Sequence, residues 1–147
     1  MKLKQISVSL ENAPGRLYEV TDALGRAGIN LRALSLVETA DFGVLRLLVS
    51  DLSTARQVMM ERHFPARVDE VVAVEIEDKP GSLARLLKPL RDAKVNVQYM
   101  YAFTGFASGN AVMIFRFTDN DAAIRTLQHS GAKILDSKAF GMLESTG

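Results

Sequence analysis

Two short runs hold the residue types best suited to gripping a small charged ligand. Asn12-Ala13-Pro14-Gly15-Arg16-Leu17 and Asp78-Lys79-Pro80-Gly81-Ser82-Leu83 each set a side-chain oxygen three residues ahead of a glycine, just before an amphipathic stretch. A proline-glycine pair breaks a strand and suits the first turn of a helix, where the missing proline N–H costs nothing. A helix start presents unpaired backbone N–H groups and a partial positive charge, which suit a carboxylate. Glycine at 15 or 81 lets a ligand approach the backbone without meeting a Cβ. The oxygens of Asn12 and Asp78 are placed to accept from an ammonium. Together these groups match both charged ends of a free α-amino acid. The plainer alternative is that Pro-Gly only starts a helix and Asn or Asp only ends a strand. Recurrence of the pattern, with Asn30 and Asn96 at the following strand each time, favours the ligand.

Other chemistry finds little support. The two histidines, His63 and His129, fall near helix ends without an accompanying Cys, His or carboxylate cluster. Cysteine is absent, which removes disulfides, thiol catalysis and cysteine-held metals. Gly105-Phe106-Ala107-Ser108-Gly109 lies between two strands and reads as a hairpin connection, not a phosphate loop. No Ser–His–Asp set shows a local signature. The chain therefore reads as a non-enzyme with no metal and no cofactor. Lys plus Arg is 18 and Asp plus Glu is 17, a net charge of +1, which argues against nucleic-acid and anionic-membrane partners. No apolar run approaches the ~20 residues of a membrane span. Met1–Ile6 alternates charged and apolar residues, unlike a signal peptide, so the expected location is the cytoplasm.

The elements that must position these turns are written twice. Sliding the sequence by 66 residues lays Glu11–Leu17 on Glu77–Leu83, Leu24 on Leu90, Ala27 on Ala93 and Ile29-Asn30-Leu31 on Val95-Asn96-Val97. Two extra residues near 106–110 move the later match to 68, placing Leu48–Asp51 on Arg116–Asp119. Each copy reads strand, helix, strand, strand, helix, strand. Ile6, Val8 and Leu10 alternate with polar residues, as do Val72, Val74 and Ile76. Leu17, Val20, Leu24 and Ala27 recur at helical spacing, mirrored by Leu83, Leu86, Leu87, Leu90 and Ala93. Pro89 predicts a kink in the second of these helices. Second strands are expected at Leu31–Glu38 and Val97–Phe103, and third strands at Val44–Val49 and Ala111–Phe117. Asp51 or Ser53, and Asp119 or Asp121, offer caps for the later helices. Val68–Ile76 holds no breaker, so one copy should run directly into the next. A final strand is expected over Lys133–Phe140, with a frayed tail after Gly141. The pattern predicts an α+β fold, two ferredoxin-like βαββαβ sandwiches in tandem, 1–70 and 71–147. Units this small leave an apolar face or edge to cover, which predicts a homodimer.

Glu11-Asn12-Ala13-Pro14-Gly15-Arg16-Leu17 followed by Ala27-Gly28-Ile29-Asn30 resembles the opening of an ACT domain, and Glu77–Leu83 with Ala93-Lys94-Val95-Asn96 resembles it again. The second copy departs at Lys94, where the pattern favours glycine, and at Pro89. The resemblance implies a stand-alone pair of amino-acid-binding regulatory ACT domains, an allosteric small-molecule sensor. It also implies a ligand held between the β1–α1 turn of one domain and a neighbouring domain near the start of its second strand. Carried over, the binding residues are Asn12, Ala13, Pro14, Gly15, Arg16 and Leu17 with Asn30 and Leu31. Their counterparts are Asp78, Lys79, Pro80, Gly81, Ser82 and Leu83 with Asn96 and Val97. The alternative is a regulatory module that controls a metabolic enzyme by contact, without its own ligand. Tyr99, Tyr101 and Phe103 alternate along one strand, and Phe115 and Phe117 share a parity on the next. They read as core or dimer interface. An RNA-stacking sheet is the sharper rival, but it lacks its basic and glycine signature here.

Overall fold

The computed structural model describes residues 1–104 and 108–143. The elements are β1 (Leu3–Glu11), α1 (Arg16–Arg26), β2 (Leu31–Glu38), β3 (Phe42–Val49), α2 (Leu52–Glu61), β4 (Ala66–Ile76), α3 (Ser82–Asp92), β5 (Val97–Phe103), β6 (Ala111–Phe117), α4 (Asn120–His129) and β7 (Lys133–Leu135), then a 3₁₀ turn at Ser137–Phe140. This is βαββαβ twice, the ferredoxin-like pattern. Strand order is β2-β3-β1-β4 in the first unit, and β5-β6-β4 with β7 also on β4 in the second. The long β4 serves both: Ser9 N–H donates to the Pro65 carbonyl as β4 begins, and Val72–Ile76 pairs antiparallel with Phe115–Ala111.

Each unit builds its core between helices and one sheet face. In the first, Ile6, Val8, Leu10, Leu45, Leu47 and Val49 meet Val20 and Leu24 of α1 and Ala55 and Met59 of α2. In the second, Val72, Val74, Phe115 and Phe117 meet Leu86, Leu90, Ala123 and Leu127. The alternation of the strands and the 3–4 spacing of the helices dictate these contacts. The later helices are capped by Asp51, accepting from Thr54 N–H at 3.2 Å, and Asp119, accepting from Ala122 N–H at 3.0 Å. At Pro89, where a kink is expected, α3 continues to Asp92, with Ala93 N–H on the Pro89 carbonyl.

The compact units differ from sequential halves at the chain ends. One contains Lys4–Asp69 together with the residues from Ser137 onward; the other contains Met1–Leu3 and Glu70–Asp136. Lys2 reaches Asp121 at 3.1 Å, and Leu143 N–H donates to the Ser50 carbonyl at 2.9 Å. That bond anchors Leu143, where a frayed tail was expected; residues 144–147 lie outside the described residues, as do 105–107 of the expected hairpin. The final strand is shorter than the expected Lys133–Phe140. It stops at Leu135 because Ser137–Phe140 closes a turn, with Met142 N–H on the Ser137 carbonyl and Gly141 at φ +62°. Phe140 is thereby buried.

Candidate functional site

In both turns the proline lies two residues ahead of the first helical residue. Helices α1 and α3 begin at Arg16 and Ser82, so Pro14 and Pro80 lie outside the first turn, and Gly15 and Gly81 are the N-caps. Both glycines are left-handed, at φ +89° and +84°, a conformation that costs other residues a Cβ clash. The glycines supply the chain reversal; the prolines precede it. Arg16 N–H reaches the Ala13 carbonyl at 3.4 Å and Glu19 N–H the Gly15 carbonyl at 3.0 Å. The N–H groups of Gly15, Leu17 and Tyr18 have no acceptor among the described residues. At the second turn Ser82 and Arg85 repeat those bonds, to Lys79 and Gly81, and Gly81, Leu83 and Ala84 remain open in the same way. Both helix starts keep the donors a carboxylate would need.

The surroundings differ. A Cβ at Gly15 would meet nothing within 4 Å, whereas one at Gly81 would lie 3.1 Å from Arg85 Nη1. Asn12 Nδ2 donates to Glu38 Oε1 at 2.9 Å and Asn12 N–H to the Asp41 carbonyl at 3.0 Å. That engages the donor end of the amide and leaves its oxygen as the outward acceptor. Lys79 pairs with Glu77 at 3.3 Å.

Asn30 and Leu31 stand elsewhere. Asn30 N–H donates to Ser50 Oγ, and Ser50 N–H to the Asn30 carbonyl, both at 2.9 Å. The Asn96 carbonyl likewise accepts from Thr118 N–H at 3.0 Å. These positions follow the far end of an 11-residue helix, about 16 Å from the turn of the same unit. Within a unit the turn instead meets the β2–β3 connection, at Glu38 where β2 ends and Phe42 where β3 begins.

Beside each turn lies a groove that the sequence reading missed, about 610 Å³ in the first unit and 450 Å³ in the second. The first is walled by Glu11 and Arg16, on either side of the turn, by Phe42, and by the α2–β4 loop Arg62-His63-Phe64-Pro65. The second is walled by the repeat-equivalent Glu77, Ser82, Asn110 and Ser130-Gly131-Ala132-Lys133. The loop wall was legible only in the register of the repeat: His63 at φ +62° holds the left-handed place taken by Gly131 at +81°. In the first groove Arg16 is held between Glu19 at 3.0 Å and Glu11 at 3.4 Å. In the second, the Glu75 side chain is 6% exposed and bonded to Lys133 Nζ and Asn110 Nδ2, each at 3.2 Å. Asn110 above all, then Lys133, holds the Glu75 carboxyl below the usual range, while burial opposes them.

The aromatic residues divide between faces. Phe115 and Phe117 stack at 5.0 Å inside the helix-side core. Tyr99, Tyr101 and Phe103 lie opposite Arg116, Ile114 and Val112, so they take the other face, half-buried. Among the described residues there is no cluster of three metal-ligating side chains, and no helix is long and apolar enough to cross a membrane.

A family model described as an ACT domain pair matches residues 1–138. A protein of Bacteroides thetaiotaomicron of known structure is 36% identical, with a TM-score of 0.91 over 97% of this chain and 98% of that one. The ligand-free regulatory subunit of aspartate kinase from Thermus thermophilus shares the fold at 16% identity, with a TM-score of 0.61 over 86% of this chain and 90% of that one. Clostridium acetobutylicum aspartate kinase does so at 13% identity and a TM-score of 0.57, over 88% of this chain and 32% of that one. No curated protein matches the chain.

Proposed function

The chain belongs to the ACT domain-pair family, and from that premise we propose that it is a non-catalytic regulator that binds a free amino acid at its β1–α1 turns. The observation that supports this reading most is the duplicated helix start, with a left-handed glycine and three unfilled N–H donors in each copy. The carboxylate sits on those donors, and the ammonium on Asn12 Oδ1 or the Asp78 carboxylate. Asn30–Leu31 and Asn96–Val97, a helix length from the turn of their own unit, join a site only from another domain. A cytoplasmic homodimer supplies one.

Thermal-shift measurement against the common amino acids tests the reading, because a ligand that binds only the folded state raises the melting temperature. At least one amino acid should do so in a concentration-dependent way; no response from any of them would overturn it. A second reading, control of a metabolic enzyme by contact alone, is favoured by Leu34 and Leu36. They are 56% and 51% exposed on β2, the outermost strand of its unit. Under that reading a catalytic subunit is captured from extract, capture is lost in Leu34→Lys, and no amino acid shifts the melting temperature.

A further inference from the structure

The two grooves share a frame and differ in what they present. The first is lined by Tyr18, Phe42, Phe64 and Pro65. The repeat-equivalent residues of the second unit are Ala84, Asn110, Ala132 and Lys133, of which the last three line its groove and Ala84 is too short to reach it. The equivalence is structural as well as numerical. Leu10 pairs with Gly43 as Ile76 pairs with Ala111, which fixes Phe42 against Asn110. Phe64 N–H bonds the Met59 carbonyl as Ala132 N–H bonds that of Leu127. One groove therefore replaces three rings by two alanines and an amide, at unchanged backbone positions.

We propose that the first groove selects an α-amino acid with an aromatic side chain, the ring lying among Tyr18, Phe42 and Phe64, and that the second groove rejects it. This rests on the reading that the zwitterion is held at the turn, and it adds which side chain and which copy. Glu11 and Arg16 flank the turn and also line the groove, so a side chain leaving the turn has this space to enter. Tyr18 and Phe42 are 68% and 53% exposed, although nothing about a first helical turn or a strand start requires a ring there. Large apolar groups left uncovered around a concave space mark a binding surface, and the groove falls within the size range of small-molecule sites. A ring entering it is removed from water and finds edge-to-face or offset partners. The first groove also carries charged side chains at its rim, Glu19, Asp22 and Arg62 among them; the second has Ile76 and Leu86 on its wall but offers no ring. Its buried Glu75 carboxylate and Lys133 ammonium form a pair that a desolvated aromatic would crowd without compensating.

The chain contains no tryptophan, so a bound tryptophan is the sole indole and reports its own environment. Titration of L-tryptophan, L-phenylalanine, L-alanine and L-glutamate is followed by indole emission and calorimetry. The variants are Phe42→Asn and Tyr18→Ala, which borrow the second copy's residues at exposed positions and preserve the fold. Aromatic amino acids should bind at least tenfold more tightly than alanine or glutamate, with a blue-shifted indole. Each variant should weaken them at least tenfold while altering alanine binding less than twofold. Binding of non-aromatic amino acids in preference would overturn the groove assignment and leave amino-acid sensing standing. Aromatic binding indifferent to both variants would place the ligand elsewhere and overturn it too. If no amino acid binds at all, the sensing reading itself fails.

Discussion

Gly15→Ala separates what the turn does for folding from what it does for a ligand. Gly15 sits at φ +89° with no atom within 4 Å of where a Cβ would stand, so the methyl adds backbone strain and no collision. The left-handed conformation costs an L-residue about 1–2 kcal/mol. Alanine recovers about 0.5–1 kcal/mol of that, because it has less unfolded-state freedom to lose. The net destabilisation is about 1 kcal/mol, a fall in Tm of roughly 2–4 °C for a chain of this length. Gly81→Ala, at φ +84°, should cost slightly more, since the Arg85 guanidinium 3.1 Å away is the far end of an exposed side chain and must loosen its bond to Ser82 Oγ to swing aside. The ligand should tell them apart. In Gly15→Ala the methyl stands in the path of a carboxylate approaching the open N–H groups, so affinity for the responding amino acid falls at least tenfold. At saturating ligand that removes about 1.4 kcal/mol of ligand-induced stabilisation. Urea denaturation gives the first quantity, and thermal shift with and without ligand the second. A variant destabilised by about 1 kcal/mol but with an unchanged ligand-induced shift would refute the turn as the gripping element.

Three further outcomes follow from the geometry. Lys94 holds φ +58° where the first copy has Gly28 at +76°, so Lys94→Gly should raise stability by about 0.5–1 kcal/mol in urea denaturation; a loss would mean that the lysine has compensating contacts. Asp119→Ala removes the cap on Ala122 N–H and should cost about 1 kcal/mol by the same measurement. The Glu75 carboxyl is held below the usual carboxylate range by Asn110 and Lys133, so the stability it contributes is complete above the unfolded-state pKa and lost as pH falls through its folded value. Glu75→Gln should therefore flatten the acid limb of a stability–pH curve, and an unaltered limb would show the carboxyl to be unperturbed.

The secondary structure was legible wherever a side-chain period met a clear breaker. β2, β5 and β6 begin and end at the expected residues, because each is an apolar alternation or run closed by polar residues. β4 runs unbroken between the copies for the same reason. The misreadings have physical causes. Proline at the first helical position and a left-handed glycine cap leave the same Pro-Gly trace in sequence, and only backbone angles tell them apart. Lys133–Phe140 is strand-like only through Leu135; Asp136-Ser137 favours a turn, and burial of Phe140 with the left-handed Gly141 completes it. The chain ends pack by bonds spanning most of the sequence, such as Leu143 to Ser50, which no local pattern encodes. The groove wall at Arg62–Pro65 was hidden because its residues follow a helix end and carry no motif; only the repeat register relates it to Ser130–Lys133.

The repeat also shows why the two groove chemistries cannot be exchanged one residue at a time. In the first unit two of the three rings stand largely independently: Tyr18 belongs to α1 and Phe42 opens β3, and both keep much of their surface in water, so truncating either leaves no buried polar group behind; Phe64 packs against the core. In the second unit Glu75 is enclosed and satisfied by Asn110 and Lys133 together. Changing Asn110 to phenylalanine would withdraw one donor from a buried carboxylate, which costs about 1–3 kcal/mol or more for a charged group. Replacing Lys133 with the proline found at its equivalent would remove another, leaving the Ser108 hydroxyl. The polar groove is a cooperative unit whose members depend on one another, whereas the aromatic groove is a set of separable surfaces. Selectivity by ring in the first copy is therefore open to adjustment at single positions with little cost in folding. The second copy's groove is tied to the stability of its own sheet through Glu75, so a change in what it binds is also a change in what holds it together.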